Sequence, residues 1–354
     1  MRVAVVGVLV GAFLFGSMLR ESGGDAFVIT AVGGGEIAQF VENEVGRSIV
    51  LREKPGHDGR FFMLQSRDPF MSDPFTVEQL DPTRYRAQRV FYPLVAGLGG
   101  LLPLRFIPWT MALLHILSFG LGSYSLGELA ARRDLTRWWG LGFALNPGMW
   151  GSLQIGGAST VAVALGLYAV LLVDRERFIG AGIVFAASLL TRETMVLMLI
   201  GVVVQQLVVH RRFRFDMVSL AVVPSMAWAV FLRIQIPVAA RDANGAIGLP
   251  LAGFSEAIEV WSRSSQSIAF GGVTVAVALL TGFYGLRRRD LVVWACAPFS
   301  ALFFVLTPSV LRLNFDYSRA IAPVYISSAL IAAIALKYPT EAAEAAEEPS
   351  LGVR

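Results

Sequence analysis

Cysteine and charged residues are scarce in this sequence. Its 354 residues include one cysteine, Cys296, so no intramolecular disulfide and no cysteine-based metal site can form. Charged residues make up 16% of the chain, whereas soluble domains carry about 25%. In their place, 55% of the residues are hydrophobic and the mean hydropathy is +0.62. This composition predicts an all-α polytopic membrane protein.

The basic charge balance does not indicate a nucleic-acid partner. The net charge is +4 and the isoelectric point is about 9.4. However, the arginines cluster at the ends of apolar runs, which is where membrane proteins place them. Membrane lipids are therefore the expected surroundings, and no nucleic-acid binding is predicted.

Apolar runs along the chain predict about ten transmembrane helices. The runs cover residues 1–19, 106–127, 138–155, 158–173, 178–191, 195–209, 217–234, 268–286, 291–308 and 320–337. Several are shorter than the ~20 residues that a spanning helix prefers. The first run has features of a signal peptide, but no convincing cleavage site follows it, so we interpret it as an uncleaved span.

The distribution of arginines predicts the orientation of these spans. With ten spans and a cytoplasmic N-terminus, the inner side holds thirteen arginines and lysines, and the short outer loops hold six. This asymmetry follows the positive-inside rule. If 178–209 formed a single span, every later loop would change sides and the Arg287–Arg289 cluster would face outward. We therefore expect both termini in the cytoplasm.

One long polar segment interrupts the apolar pattern and is predicted to lie outside the cytoplasm. It covers residues 20–89 and is expected to carry short amphipathic helices. The next segment, 90–104, is apolar but too short to span, so a re-entrant or interfacial helix is predicted. Residues 1–337 would then form a single transmembrane domain, followed by a short cytoplasmic tail at 338–354.

The long polar segment contains an aspartate between two glycines. The run Gly-His-Asp-Gly-Arg-Phe-Phe occupies residues 56–62. Glycines let the backbone turn and approach a ligand closely, and a carboxylate can act as a general base for a hydroxyl within hydrogen-bond reach. Asp58 is the candidate for that role. Asp25, which comes soon after the first span, is the competing candidate.

Two further polar stretches fall on the same predicted side of the membrane. Arg192 and Glu193 lie between two short spans, and the stretch from Arg312 to Arg319, which includes Asp316, precedes the last span. Ionisable groups near membrane depth are costly and usually mark function. Three sets that are distant in sequence but share one side predict a common site.

These motifs resemble those of bacterial integral-membrane glycosyltransferases of the GT-C superfamily. The resemblance rests on the run at 56–62, on Arg-Asp-Pro at 67–69 and on Arg-Tyr-Arg-Ala-Gln-Arg-Val-Phe-Tyr-Pro-Leu at 84–94. The Asn-Pro-Gly break at 146–148 and the Leu-Thr-Arg-Glu-Thr run at 190–194 also occur in such proteins. The chain departs from the family pattern at His57, Arg60 and Phe62, where tyrosine, glutamine and tyrosine are usual.

The resemblance implies transfer of a sugar from a polyprenyl-phosphate donor to a glycan, lipid or protein acceptor. The protein would lie in the bacterial cytoplasmic membrane with its active site on the extracytoplasmic face. Asp58 would be the base of an inverting transferase, and arginines would stabilise the leaving lipid phosphate. The predicted substrate-binding residues are His57, Arg60, Arg67, Arg192, Glu193, Arg312, Asp316 and Arg319.

No cofactor is predicted. An Asp-x-Asp pair and a large cytoplasmic segment, which would suggest a nucleotide-sugar donor, are both lacking. The loop carboxylates Asp58 and Asp68 are too few to claim a divalent cation, so no metal ligands are assigned.

Two other classes of function remain open. A transporter or flippase for a lipid-linked substrate would use broken helices such as 138–155 as part of a substrate pathway, but no inverted repeat is apparent. A non-catalytic protein of envelope assembly would tolerate replacement of Asp58.

Overall fold

The computed structural model describes residues 1–53, 56–80, 83–236, 246–287 and 289–337. Within these ranges every regular element is a helix, and extended pairing is limited to two isolated bridges, Val32 with Gly56 and Ile247 with Leu306. The prediction of an all-α protein is confirmed. The predicted tail at 338–354, and Arg288 of the basic cluster, lie outside the described residues.

Twenty α-helices follow one another in the described part of the chain. They are α1 (Arg2–Glu21), α2 (Glu36–Val45), α3 (Gly59–Arg67), α4 (Pro74–Gln79), α5 (Thr83–Ala87), α6 (Phe91–Ala96), α7 (Ile107–Ala131), α8 (Leu141–Ala144), α9 (Pro147–Gln154), α10 (Ser159–Asp174), α11 (Phe178–Thr191), α12 (Val196–His210), α13 (Phe215–Gln235), α14 (Phe254–Trp261), α15 (Ser265–Arg287), α16 (Leu291–Cys296), α17 (Pro298–Phe304), α18 (Pro308–Leu311), α19 (Asn314–Ala320) and α20 (Ala322–Lys337). Short 3₁₀ turns occupy Ala26–Thr30, Leu104–Phe106, Arg137–Gly140 and Glu193–Met195.

Among the described residues, five helices are long and apolar enough to cross a membrane. They are α1, α7 with its preceding 3₁₀ turn, α12 with its preceding 3₁₀ turn, α13 and α15. A sixth is reached if α19 and α20, which are bent by 71° relative to each other, are counted as one span. The coarse prediction of a helical, membrane-like protein is confirmed, whereas the count of ten spans stays a prediction.

The remaining predicted spans are short or broken helices. Helix α10 has 16 residues and α11 has 14, while the predicted spans 138–155 and 291–308 are each divided into separate helices. Most side chains of α10 are buried, and the helix packs against α7 and α11. Because other helices surround it, α10 does not have to match the full thickness of a hydrocarbon layer by itself.

The surface of α13 indicates where lipid contacts the protein. Val223, Met226 and Ile234 expose 58%, 62% and 75% of their surface. A soluble monomer rarely leaves contiguous large apolar side chains uncovered. Hydrocarbon is the environment in which such a helix face has no free-energy cost, so this surface supports a membrane location.

The first and longest helices pack through glycines. A Cβ placed on Gly7 of α1 would lie 2.5 Å from the Phe119 carbonyl oxygen of α7, and one on Gly11 would lie 3.2 Å from the Ile116 Cα. Small residues allow helix backbones to approach this closely. The resulting van der Waals packing holds helices together in lipid, where no hydrophobic driving force acts between them.

The segment between α1 and α7 folds into short helices with local start signals. Asp73 accepts a hydrogen bond from the Phe75 amide, and Pro74 occupies the first turn of α4, as expected for a helix start. Helix α2 ends at Gly46, which adopts a left-handed conformation with φ of 69°. Helix α6 begins at Phe91, inside the segment 90–104 that was predicted to be re-entrant or interfacial.

The Asn-Pro-Gly break before α9 packs against the bend between α19 and α20. The Asn146 side chain accepts a hydrogen bond from the Gly148 amide at 2.9 Å and donates one to the Ala322 carbonyl oxygen at 2.9 Å. A Cβ on Gly148 would lie 2.3 Å from the Ser318 carbonyl oxygen. The Asn-Pro-Gly break therefore supports the bend between α19 and α20, and so fixes the position of Arg319.

Candidate active site

The Asp58 carboxylate lies between two arginines that come from distant parts of the chain. Its Oδ1 atom accepts a hydrogen bond from Arg86 Nη1 at 2.9 Å, and its Oδ2 atom accepts one from Arg319 Nη1 at 3.4 Å. The Asp58 side chain is 26% exposed. Asp58 precedes the first residue of α3, yet its side chain does not cap that helix. An aspartate at a helix start ordinarily caps it, so the arginines take the place of the usual partner.

The backbone around Asp58 is held by close contacts of the neighbouring glycines. Gly56 has φ of +81° and pairs with Val32 across a bridge. A Cβ on Gly59 would lie 2.4 Å from the Ile155 carbonyl oxygen. The sequence suggested that these glycines admit a ligand, but protein backbone occupies the space that a side chain would need. Their function is to lock the loop and so to position Asp58.

The electrostatic surroundings keep Asp58 ionised. Burial favours the neutral acid and so raises the pKa, but the positive charges of Arg319, Arg86 and Arg89 outweigh it and hold the pKa of Asp58 well below its usual range. The carboxylate is thus available to accept a proton at neutral pH. It is also a weak base as long as the arginines hold it, because a general base works best with a pKa near the operating pH.

Arg89 forms a two-pronged ion pair with Glu193. Its Nε and Nη2 atoms donate to Oε2 and Oε1 of Glu193 at 2.8 and 2.7 Å. The Arg89 Nη2 atom also donates to the Tyr85 hydroxyl at 2.5 Å, and the residue is 8% exposed. A buried bidentate pair of this kind is geometrically specific, so it fastens the chain that follows α5 to the break between α11 and α12.

Arg192 is a cation without a carboxylate partner among the described residues. Its Nη1 atom contacts the Ser159 hydroxyl and donates to the Arg319 carbonyl oxygen at 3.3 Å. Its Nε atom is buried and has no hydrogen-bond partner. Burial, together with the charge of Arg89, lowers the pKa of Arg192 to about 10, which leaves the guanidinium protonated at neutral pH.

The cluster holds more positive than negative charge. We define it by five arginines, Arg60, Arg86, Arg89, Arg192 and Arg319, and by three carboxylates, Asp58, Glu193 and Asp316. Among the residues that the structure describes, two positive charges are therefore in excess. The Nε atoms of three of these arginines are buried and lack hydrogen-bond partners in the described part of the chain, namely those of Arg60, Arg192 and Arg319. Planar guanidinium groups with free donors are well matched to a phosphate.

Aromatic rings line the arginines of the cluster. The guanidinium carbons of Arg86 and Arg60 lie 3.8 and 4.5 Å from the centroid of the Phe61 ring. The Arg319 guanidinium lies 5.0 Å from the centroid of the Phe315 ring, and the His57 ring lies 6.1 Å from the same centroid. His57 therefore lies at the edge of the cluster, next to the Phe315 ring that also contacts Arg319.

Two of the predicted substrate-binding residues lie in other surroundings. Arg67 forms an ion pair with Asp73 at 2.6 Å and stacks on Phe40 at 4.8 Å. Arg312 forms an ion pair with Glu256 at 2.6 Å, and both side chains are 54% exposed. The structure does not bring either arginine into contact with the carboxylates of the cluster, so neither is part of the site that we describe.

The competing aspartate has structural partners. Asp25 Oδ1 accepts hydrogen bonds from the Phe27 amide at 3.1 Å and from Arg47 Nη2 at 2.9 Å, and Oδ2 accepts one from the Val50 amide at 2.8 Å. Asp25 therefore caps the 3₁₀ turn that follows α1 and ties residues 47–50 to it. This arrangement accounts for its presence without a catalytic role.

Four residues of the site were missing from the sequence-based selection. Arg86 and Arg89 hold the two central carboxylates, Tyr85 contacts Arg89, and Ser159 contacts Arg192. The run at 84–89 carries three arginines in a chain with 16% charged residues, and that density was the available signal. Ser159 stands at the start of an apolar helix and offered no signal of its own.

Within the described residues, no three His, Cys, Asp or Glu side chains come together in a way that could hold a metal ion. No protein-family model, curated protein or solved structure matches the chain. The geometry of the site is therefore the basis for any proposal about function.

Proposed function

We propose that this protein is a membrane glycosyltransferase of the GT-C type. It would transfer a sugar from a polyprenyl-phosphate donor to an acceptor on the extracytoplasmic face of a bacterial cytoplasmic membrane, within a fold of about ten spans. One observation carries the proposal: an ionised carboxylate, Asp58, lies inside an arginine cluster with two positive charges in excess. A base beside an anion site is the arrangement that this reaction requires.

The excess positive charge suits the phosphate of the donor. A lipid phosphate gains negative charge as it leaves the sugar, and preorganised cations stabilise that charge where water is excluded. Arg192 is the first candidate to bind this phosphate. It has no carboxylate partner among the described residues, and its Nε–H group has no hydrogen-bond acceptor there. Arg319 is the second, because its Nε atom is also unpartnered and its side chain touches Asp58.

The proposed reaction is a single displacement at the anomeric carbon. Asp58 accepts the proton of the acceptor hydroxyl while the hydroxyl oxygen forms a bond to the anomeric carbon. The bond between that carbon and the phosphate oxygen breaks, and the electron pair stays on the phosphate. The configuration of the sugar inverts, and the lipid phosphate leaves with its charge balanced by the arginines.

Donor binding would also activate the base. Arg86 and Arg319 hold Asp58 in the structure. A phosphate that enters the cluster competes for the same guanidinium groups. Asp58 then loses part of the stabilisation of its charged form, and its pKa rises towards the ordinary range. The base becomes stronger when the substrate is in place.

Replacement of Asp58 by Asn tests the proposal. Asn is close in size, so the Asp58→Asn protein is expected to insert and bind donor, whereas the rate of transfer falls by about 10²–10⁴-fold because the proton acceptor is lost. The measurement is transfer of labelled sugar from a defined polyprenyl-phosphate donor in proteoliposomes. The Asp25→Asn protein is the matched control and is expected to keep its rate per folded molecule. A large loss of sugar transfer in Asp25→Asn, together with normal transfer in Asp58→Asn, would assign the base to Asp25.

A lipid-linked substrate transporter is the second candidate function. The paired interruptions at α8–α9 and at α19–α20 favour it, since transporters often bind substrate at broken helices. The two functions differ in one assay: movement of a labelled lipid across vesicles without sugar transfer would support transport. Full transfer activity in both aspartate variants would instead rule out the carboxylate mechanism.

A further inference from the structure

A large polar cavity opens at the end of the molecule opposite to the candidate active site. Its volume is about 850 Å³, and its wall includes Arg132, Arg133, Arg212, Arg214 and Arg289. Three acidic residues, Asp174, Glu176 and Asp290, also line it. Five arginines against three carboxylates leave an excess of positive charge in the cavity as well.

Two helices, α10 and α12, run from the candidate active site to the cavity, and their lengths give the distance between the two sites. Helix α10 begins at Ser159, which contacts Arg192, and ends at Asp174, which lines the cavity. Its 16 residues correspond to about 24 Å at 1.5 Å per residue. Helix α12 begins close to Glu193 and ends at His210 on the cavity wall. The cavity is therefore a separate site.

Part of the positive charge in the cavity is already balanced. Arg132 forms an ion pair with Asp174, and Arg133 forms one with Asp290. Arg212 and Arg289 form no ion pair with any carboxylate in the part of the chain that the structure describes. Arg214 forms no such pair either, but its guanidinium stacks on Phe178. Arg212 and Arg289 are therefore the exposed arginines of the cavity that lack an ion-pair partner among the described residues.

The floor of the cavity is polar and lacks a charge of its own. Gln205 and Gln206 are 4% and 7% exposed. The Gln206 amide donates to Gln205 Oε1 at 3.0 Å, and the Gln205 amide donates to the Arg289 carbonyl oxygen at 3.3 Å. Amide groups at the bottom of an arginine-lined cavity provide neutral hydrogen-bonding partners for the oxygens of a bound anion.

Aromatic residues beside the cavity indicate that it lies at the level of the membrane surface. Phe213 and Phe215 alternate with Arg212 and Arg214 in the chain, and they are 52% and 72% exposed. Arg214 stacks on Phe178 at 3.8 Å. Exposed rings that alternate with arginines are typical of a segment at headgroup level, and basic pockets between membrane helices bind anionic headgroups.

We propose that this cavity binds the phosphate headgroup of an anionic phospholipid, with Arg212 and Arg289 as its principal contacts. The phosphodiester would enter from the membrane surface, and its acyl chains would stay in the bilayer next to the apolar helix ends. The site would anchor the molecule at the end opposite to the candidate active site. It depends only on the cavity and its arginines, and not on the proposed enzymatic function.

Lipid titration of the full-length protein tests this proposal. Purified protein in neutral detergent is titrated with phosphatidylglycerol or cardiolipin, with phosphatidylcholine as the neutral comparison, and thermal unfolding is followed by tryptophan fluorescence. We expect the anionic lipids to raise the unfolding temperature and phosphatidylcholine to leave it unchanged. In Arg212→Gln/Arg289→Gln the half-saturating concentration of anionic lipid should rise about 25-fold, because each arginine contributes roughly a factor of five.

A matched double variant removes the same charge from another part of the surface. Arg105→Gln/Arg263→Gln is expected to keep the lipid response within about twofold. The single variants Arg212→Gln and Arg289→Gln provide the same test with smaller shifts if the double variant does not fold. Three outcomes would overturn the proposal: an unchanged response of the cavity variant, an equal loss in both double variants, or full stabilisation by inorganic pyrophosphate without lipid.

Discussion

At the scale of single residues, the site is defined by which cations have a carboxylate partner and which do not. Arg89 forms a two-pronged ion pair with Glu193 and also donates to the Tyr85 hydroxyl. Arg86 and Arg319 share Asp58. Among the described residues, Arg192 donates hydrogen bonds to a hydroxyl and a carbonyl oxygen and to no carboxylate. The Nε–H group of Arg192 is buried and has no acceptor among the described residues. An unpaired buried donor on a cation costs free energy unless an anion binds it, so we expect a phosphate to gain most from contact with Arg192.

Replacement of Arg192 by Lys tests this residue. The ammonium keeps the charge but cannot reproduce a two-pronged contact with phosphate. We expect the donor concentration for half-maximal rate to rise about tenfold, since a charge-assisted hydrogen bond is worth roughly 1.5–3 kcal/mol, with a smaller effect on kcat. The measurement is the initial rate of sugar transfer as donor concentration is varied.

Arg312→Lys is the control for this experiment. Arg312 pairs with the half-exposed Glu256 outside the cluster, and an exposed pair contributes little to stability or binding. Its donor dependence should stay within about twofold of wild type. Equal losses in the two variants would show that Arg192 has no special role in donor binding.

At the scale of elements, the loop before α3 and the break before α9 position the acidic and basic groups. Gly59 lets the start of α3 approach the Ile155 carbonyl oxygen, which lies just after α9. Gly148 lets α9 approach the end of α19. Asp58 and Arg319 are therefore set by two close contacts with the same short helix, and the separation between them depends on backbone packing.

Replacement of Gly59 by Ala tests the loop contact. The added Cβ would lie 2.4 Å from one carbonyl oxygen and 2.8 Å from those of Ile29 and Thr30, so the backbone has to shift. Overpacking of this kind costs about 1–3 kcal/mol, and we expect a lower unfolding temperature together with a large loss of transfer activity. The two measurements are thermal unfolding in detergent and the transfer assay.

Gly16→Ala is the matched control because a Cβ at Gly16 in α1 would meet nothing within 4 Å. Alanine favours helix over glycine by about 1 kcal/mol, so this variant should be as stable as wild type or more stable. A Gly59→Ala protein with normal stability and normal activity would show that the close contact does not position Asp58.

At the scale of the whole molecule, the two charged clusters lie at opposite ends of the same helices. The helices that run between them, such as α10, are buried among their neighbours. Helices at the periphery, such as α13, expose large apolar side chains. This arrangement is expected of a protein whose ends face two aqueous phases and whose sides face hydrocarbon. From the positive-inside rule we expect the end with the arginine-lined cavity to face the cytoplasm.

Cysteine labelling tests that orientation. In a protein whose buried Cys296 is replaced by Ser, Arg263→Cys should react with a membrane-impermeant maleimide added to intact cells. Arg177→Cys and Arg289→Cys should react only after the membrane is permeabilised, because we expect those positions in the cytoplasm. All three residues are exposed in the structure, so access depends on the side of the membrane. External labelling of Arg289→Cys would contradict the predicted topology.

The class of the protein and the location of its most informative loop followed from sequence. A charged fraction of 16% and long apolar runs predict a helical membrane protein, because a helix satisfies its backbone hydrogen bonds within its own segment in hydrocarbon. The run at 56–62 stood out because a carboxylate between glycines has no local structural need. Neither inference requires knowledge of distant contacts.

The choice between similar residues was decided by tertiary structure. Arg312 and Arg319 are seven positions apart and were both predicted to bind phosphate, yet Arg312 pairs with Glu256 whereas Arg319 reaches Asp58, 261 positions away. Arg312 directly follows α18, whereas Arg319 lies in α19, so two different helices direct the two side chains. Periodicity within one element does not encode such long-range placement.

The number of spans and the role of the glycines also depend on tertiary structure. A helix such as α10 is short, but its neighbours cover it, so its length does not have to follow the thickness of the bilayer. Gly59 has the sequence appearance of a ligand-binding glycine, and the Ile155 carbonyl oxygen fills the space beside it. What occupies the space next to a residue is a property of the packed molecule, and it becomes known only when the distant segments of the chain are in place.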